Sequence, residues 1–110
     1  MFSVQDVIEV NKEFDKGKIV NGGSLEFALS SIKNTKDWIT QLAYLIRSIV
    51  LDHVFEEGNK RTAVALIIAY AEAHKRAYDL TKIDKIIVKM IQKKITDIEQ
   101  IRRLIKDAVW

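Results

Sequence analysis

The chain has 110 residues, 48% of them hydrophobic, a formal net charge of +3, two histidines and neither cysteine nor proline. This is enough apolar material for one domain with a core that needs no disulfides. The lack of cysteine also argues against a zinc site. No apolar run is long enough to span a membrane, and the N-terminus lacks the basic start and apolar stretch of a signal peptide. We therefore expect a cytoplasmic protein that does not bind a membrane.

Apolar residues recur at steps of three and four along most of the chain, a pattern typical of amphipathic helices. No stretch alternates strictly, so no sheet is expected. The sequence predicts an all-α fold, an irregular bundle of about six helices around a long central helix. The predicted helices cover residues 4–15, 25–33, 37–55, 60–76, 82–94 and 97–109, with a loop at 15–23. Helix starts are indicated by the capping-box sequences Ser3-x-x-Asp6, Thr81-x-x-Asp84 and Thr96-x-x-Glu99.

The most informative segment connects the third and fourth predicted helices. The apolar stripe of the third helix, continued by one turn, reaches His53 and Phe55, and Lys60 opens the fourth helix. Free backbone N–H groups at that start carry the positive end of the helix dipole. Lys60 and Arg61 oppose this dipole, at a cost of about 0.3–1 kcal/mol each, unless an anion binds there. Gly58 would let the backbone approach such an anion closely. The segment therefore predicts a nucleotide phosphate site.

Residues 53–61 resemble the signature of the Fic superfamily, His-x-Phe-x-Asp/Glu-Gly-Asn-Gly/Lys-Arg, and match every fixed position of it. Lys60 stands where most members have a second Gly, which is similar to the death-on-curing (Doc) toxin branch. Residues 22–29 are similar to the Gly-then-helix element upstream of the signature. From this resemblance we expect residues 1–110 to form a single Fic/Doc domain.

The resemblance implies a role for each motif residue. His53 would be the general base that takes the proton from a protein hydroxyl as it attacks a nucleotide phosphate. Glu57 would hold Mg²⁺, and Phe55 would anchor the loop in the core. The residues implied to bind the phosphates of ATP are Gly58, Asn59, Lys60 and Arg61.

Lys60 distinguishes two chemistries within the resemblance. Relatives with Gly at this position present the α-phosphate to the attacking hydroxyl and transfer AMP. The Doc-like Lys implies a reversed nucleotide that presents its γ-phosphate, with a threonine of a Tu-class translation elongation factor as the target. Val64 replaces a second Arg of the wider family, which fits the Doc branch. An AMP transferase and a noncatalytic partner-binding module are the alternatives.

The resemblance also makes predictions about target alignment and about regulation. The family's flap, which aligns a target peptide by backbone pairing, would lie at residues 31–36; the alternative is a plain helix–helix turn with Thr35 as N-cap. Many members carry an inhibitory helix with Glu four residues after a Ser or Thr, and no Ser or Thr in this chain has that spacing. The resemblance therefore implies a separate antitoxin protein.

Each candidate residue also has a simpler explanation when taken alone. His53 could be a histidine at the edge of the core, Glu57 a solvated carboxylate, Gly58 and Asn59 a turn, and the two cations surface residues. Their joint occurrence at fixed spacing favours the site. His74, beside Lys75 and Arg76, is explained as a surface cation near a helix end.

The C-terminal part of the chain is basic. Residues 81–110 contain eight Lys and Arg against four Asp and Glu, a balance of +4, whereas residues 1–80 contain ten against eleven, a balance of −1. A solvated helix face explains this charge, and an acidic partner is the sharper alternative. Direct nucleic-acid binding is not expected, because no aromatic residues are interleaved with the cations.

Overall fold

The apolar stripes form six α-helices in residues 3–110, the part of the chain that the computed structural model describes. They are α1 (Val4–Lys12), α2 (Gly22–Ile32), α3 (Trp38–Leu51), α4 (Asn59–Ala73), α5 (Leu80–Lys93) and α6 (Ile98–Ala108). Extended pairing within these residues consists of two isolated antiparallel bridges, Ile19 with Phe55 and Tyr78 with Val109. The all-α prediction is confirmed. No helix in the same range is long and apolar enough to cross a bilayer.

Helix α3 is the centre of the bundle and packs against α2, α4, α5 and α6. Its buried side chains lie three and four residues apart, as the sequence pattern requires. The fully buried ones include Leu42, Leu45, Ile46 and Ile49. Helix α1 packs mainly on α4. The end of α3 and the start of α4 are therefore held side by side at one end of the bundle.

The third helix ends at Leu51 rather than at residue 55. The backbone of His53 is left-handed, with φ of 49°, so the helix cannot continue through it. Val54 and Phe55 are buried in an extended segment instead. The prediction that the helical stripe continues to His53 and Phe55 is wrong, because apolar spacing does not report the break in the backbone.

Helix N-caps agree with the sequence at only one of the three predicted capping boxes. Ser3 and Asp6 cap each other's backbone N–H groups, as expected. Helix α5 is instead capped by Asp79, which accepts from the Lys82 N–H, and α6 by Asp97, which accepts from the Gln100 N–H. An Asp carboxylate both accepts this hydrogen bond and complements the helix dipole, so it displaces the neighbouring threonine from the cap.

The connection between α2 and α3 lies at the end of α3 opposite His53. Helix α3 has 14 residues, which at about 1.5 Å per residue is a length of about 21 Å. Residues 33–37 form the helix–helix turn between α2 and α3, which was one of the two alternatives for this segment, and its use as a flap stays a prediction. The N-cap of α3 is Asp37 rather than the expected Thr35. The Thr35 hydroxyl instead accepts a hydrogen bond from the Asp37 N–H at 3.2 Å.

Asp37 also fastens the C-terminal helix to this turn. Its carboxylate accepts from Arg102 Nε at 2.7 Å and from the Thr40 hydroxyl at 2.6 Å. Partial burial opposes ionisation of the carboxyl group, but the hydrogen bonds from Thr40 and Arg102 and the arginine charge outweigh it and lower the pKa of Asp37. The same hydrogen bond and charge raise the pKa of Arg102.

Candidate active site

His53 lies in the turn that ends α3, with an exposed side chain. Its left-handed backbone redirects the chain after the Asp52 C-cap. This conformation costs a residue other than glycine on the order of 1–2 kcal/mol, and such strain is concentrated at functional sites. Within residues 3–110 the imidazole makes no hydrogen bond, so it is available to a ligand.

The turn before His53 is held by the start of α2. The Ser24 hydroxyl donates to the Asp52 carboxylate at 2.5 Å and lies 2.7 Å from the Ser48 hydroxyl. Asn21 caps α2 and also donates through Nδ2 to the Asp52 carbonyl at 2.9 Å. These bonds fix the backbone that carries His53. They also give a structural role to the glycine-then-helix element, whose helix begins at Gly22.

The loop after His53 is anchored from inside by Phe55 and closed by Asn59. Phe55 is fully buried, in agreement with its predicted anchoring role. Asn59 Oδ1 accepts from the Phe55 N–H at 3.0 Å, and Asn59 Nδ2 donates to the Phe55 carbonyl at 2.9 Å. The Asn59 amide is thus engaged with the loop, and the group that it can offer to phosphate is its backbone N–H.

A strip of extended chain before α2 braces the same loop from outside. The Glu56 N–H donates to the Lys18 carbonyl at 3.0 Å, while the Val20 and Asn21 N–H groups donate to the Val54 carbonyl at 2.8 and 3.1 Å. The sequence predicts a loop here but not this pairing. Backbone pairing of so few residues leaves no alternating pattern to detect.

Asn11 ties α1 to the motif, a role that the sequence pattern did not predict. Its side chain is completely buried. Nδ2 donates to the Glu57 carbonyl and to Thr62 Oγ1, each at 3.0 Å, and Oδ1 accepts from the Gly17 N–H at 2.8 Å. The available signal was a polar residue at a position where the apolar stripe of α1 should continue.

Gly58 is the N-cap of α4 and has a left-handed backbone, with φ of 77°. A Cβ atom here would lie 3.0 Å from Asn11 Nδ2, so both the left-handed conformation and the packing favour glycine. The first helical bond runs from the Thr62 N–H to the Gly58 carbonyl at 2.9 Å, and no side chain caps the helix. The N–H groups at positions 59–61 therefore remain available for an anion.

All six predicted site residues line one cleft with a volume of about 630 Å³. They are His53, Glu57, Gly58, Asn59, Lys60 and Arg61, joined by Phe14, Asp15 and Val50. Lys60 and Arg61 are exposed and form no ion pair with any residue in the range 3–110. The cleft thus combines an uncapped helix start, two cations without ion pairs in the described range and an exposed imidazole. This set of groups suits a bound polyanion with the imidazole as a base beside it.

Two carboxylates line this cleft, and carboxylates are the ligand type that a magnesium ion bound together with a nucleotide takes. Glu57 lines the cleft, and Asp15, which was not predicted, lines it too. No group of three His, Cys, Asp or Glu residues among positions 3–110 is arranged to hold a metal by itself. Mg²⁺ takes one or two carboxylates and completes its shell with phosphate oxygens and water, so these two residues suit it.

The second histidine lies away from the cleft. His74 is the C-cap of α4, and its ring stacks on that of Trp38 with 4.4 Å between centroids. Nδ1 lies 2.8 Å from the Tyr70 carbonyl. The predicted surface position near a helix end is confirmed, and the stacking was not foreseen.

Comparison with known proteins supports the assignment made from the motif. The Fic/DOC family model matches residues 3–71, which is more than half of the chain and runs from the start of α1 into α4. No curated protein and no solved structure gives a significant match. The matched part contains every residue that lines the cleft at the start of α4, and the chain belongs to the Fic/DOC family.

Proposed function

We propose that this protein is a Fic-type transferase that moves the γ-phosphoryl group of Mg-ATP to a hydroxyl of another protein. The observation that carries the proposal is the convergence of all six motif residues on one cleft at the uncapped start of α4. Membership of the Fic/DOC family gives the reaction class. The cleft supplies a base, phosphate-binding groups and carboxylates for the metal.

In the proposed reaction the hydroxyl oxygen of the target attacks the γ-phosphorus. His53 accepts the hydroxyl proton, and the bond from the γ-phosphorus to the β,γ-bridging oxygen breaks, so that its electron pair leaves with ADP. Lys60, Arg61 and the N–H groups at the start of α4 stabilise the charge on the phosphoryl oxygens. Glu57 and Asp15, which both line the cleft, would hold Mg²⁺, and the ion would neutralise further charge on the phosphates.

Two residues favour phosphoryl transfer over AMP transfer. Lys60 lines the cleft at the position where AMP-transferring relatives have glycine. One turn further along α4, Val64 stands in place of their second arginine and lines an apolar cavity. The chain therefore lacks the second arginine with which those relatives bind a nucleotide whose α-phosphate faces the attacking hydroxyl. The Lys60 side chain also fills space that such a nucleotide needs.

The proposed target is a threonine of a Tu-class translation elongation factor in the cytoplasm. Modification of that factor would stop translation and make the protein a toxin, controlled by a separate antitoxin. These finer points rest on the resemblance of the Lys60-containing motif to the Doc branch.

The test uses purified protein, elongation factor Tu and ATP labelled at either the γ- or the α-phosphate. We expect label on the elongation factor from γ-labelled ATP only, and none when His53→Ala replaces the wild type. His74→Ala is the matched control, because it removes the chain's other histidine far from the cleft, and it should retain transfer. Transfer of the α-label would instead establish AMP transfer. No label from either nucleotide would favour the noncatalytic module.

A further inference from the structure

The positive charge of the C-terminal part of the chain is concentrated on one face of α5. The two arginines of α6 have acidic partners, since Arg102 lies 2.7 Å from Asp37 and Arg103 lies 3.5 Å from Glu99. On α5, by contrast, exposed lysines follow one another at steps of three, four and four residues, which places them on one side of the helix. This lysine stripe consists of Lys82, Lys85, Lys89 and Lys93.

Most of the lysine stripe has no acidic partner within the bundle. Lys82 Nζ lies 4.0 Å from Asp107, whereas Lys85, Lys89 and Lys93 form no ion pair within residues 3–110. Like charges four residues apart on a helix destabilise it, and glutamates among the lysines would stabilise it instead. The repeated lysines therefore oppose the stability of α5, as expected of a surface that meets an acidic partner.

The lysine stripe adjoins the surface that contains the candidate active site. A hollow of about 260 Å³ runs along α5 and is lined by Asp84, Lys85, Val88, Lys89 and Gln92. Two of these residues, Asp84 and Val88, also line the apolar cavity between α4 and α5. That cavity in turn shares Lys60 and Arg61 with the cleft of His53. A protein docked on the stripe would therefore cover a surface that continues to the cleft.

The composition of this surface suits the carboxylates of a protein better than the phosphates of a nucleic acid. Every cation of the stripe is a lysine, so the planar fork with which arginine binds phosphate is missing from it. Helix α5 has no aromatic residue on which a base could stack. Val88 is 43% exposed and offers an apolar contact beside the stripe. The exposed Asp84 carboxylate would repel a phosphate backbone.

We propose that the lysine stripe of α5 docks an acidic segment on the surface of the protein that carries the accepting hydroxyl. Carboxylates of that segment pair with lysines along about 16 Å of helix, and an apolar side chain of the segment packs on Val88. This inference rests on the proposed function and deepens it, because it gives the substrate class as proteins with an acidic surface near the acceptor hydroxyl. Such charge pairs act on the encounter and on the choice of partner, and they leave the chemistry at His53 unchanged.

The test measures both the binding of elongation factor Tu and the transfer of label to it from γ-labelled ATP. Lys85→Glu combined with Lys89→Glu reverses the charge at the centre of the stripe. Lys75→Glu combined with Arg76→Glu is the control, because it makes the same change in net charge. Both control residues are exposed beyond the end of α4, and neither forms an ion pair within residues 3–110. Circular dichroism on each variant verifies the fold.

The stripe variant should raise the Kd and the KM for elongation factor Tu by about tenfold or more, while kcat and the KM for ATP stay unchanged. The control variant should behave like wild type. Added salt should weaken binding by wild type more than binding by the stripe variant, because salt screens exposed charges. A polyglutamate peptide should compete with elongation factor Tu for wild type.

The outcomes separate the docking surface from the proposed function. Transfer with an unchanged KM for elongation factor Tu in the stripe variant would overturn the docking surface and leave the proposed function standing, as would an equal rise in the control. The docking surface would also fail if wild type did not bind elongation factor Tu, or if single-stranded DNA displaced it at a lower concentration than polyglutamate. Binding that depends on the stripe, without transfer of label, would support the docking surface and refute the proposed function.

Discussion

Asn11→Ala is the change that should damage the candidate site most without touching a residue of the catalytic motif. The wild-type side chain makes three hydrogen bonds from a completely buried position, to the Glu57 carbonyl, the Thr62 hydroxyl and the Gly17 N–H. Each bond contributes about 1 kcal/mol, and partners left unsatisfied in the core add to the loss. We therefore expect the free energy of unfolding to fall by about 3–4 kcal/mol.

Urea unfolding at equilibrium measures this loss, provided that both proteins give the same dependence on denaturant concentration. Asn34→Ala is the control, since Asn34 is exposed in the turn after α2 and makes no hydrogen bond within the described range 3–110; its effect should lie within about 0.5 kcal/mol. The folded fraction of Asn11→Ala should also bind Mg-ATP more weakly. A loss of stability below about 1 kcal/mol would refute the view that Asn11 holds the motif in place.

Three further changes test the loop, the proposed metal ligand and the α3–α6 connection. Gly58→Ala should lower the free energy of unfolding by about 2 kcal/mol, because of the left-handed backbone and the 3.0 Å approach to Asn11. Gly23→Ala is the control: a Cβ there meets nothing within 4 Å, and the change should stabilise α2 by about 0.5 kcal/mol. Equal urea midpoints for the two variants would contradict this. Glu57→Gln should weaken Mg-ATP in calorimetry, because the amide loses the charge that attracts Mg²⁺; unchanged affinity would leave Glu57 without that role. The lowered pKa of Asp37 means that its contribution is present above its unfolded pKa, about 3.9, and is lost as the pH falls through the folded value. Asp37→Asn should therefore be less stable than wild type at pH 7, with a difference that shrinks towards pH 2; a constant difference would disprove the linkage.

Helix positions and the composition of the cleft were accessible from the sequence. Periodic apolar residues such as Leu42, Leu45 and Ile49 report which face of a helix is buried, because burial is what spaces them. The motif residues from His53 to Arg61 were predicted as a set, and the structure brings all of the predicted site residues to one cleft. Short-range spacing carries this information, since the residues are neighbours in the chain.

The sequence-based predictions are wrong at positions where backbone conformation or long-range pairing determines the structure. The left-handed backbone at His53 ends α3 early, although the apolar pattern continues to Phe55. Asp79 and not Thr81 caps α5, because local spacing alone does not rank competing caps. Asn11 acts on residues 46 and 51 positions away. A single sequence gives no sign of such partners beyond a polar residue on an apolar stripe.

The mass of intact elongation factor Tu after incubation with this protein and Mg-ATP tests the central claim most directly. We expect wild type to add the mass of one phosphoryl group. Lys60→Gly should add much less, because it removes a cation at the transferring group and opens the space for a nucleotide in the other direction. The addition of one AMP by wild type, or undiminished phosphorylation by Lys60→Gly, would contradict the account.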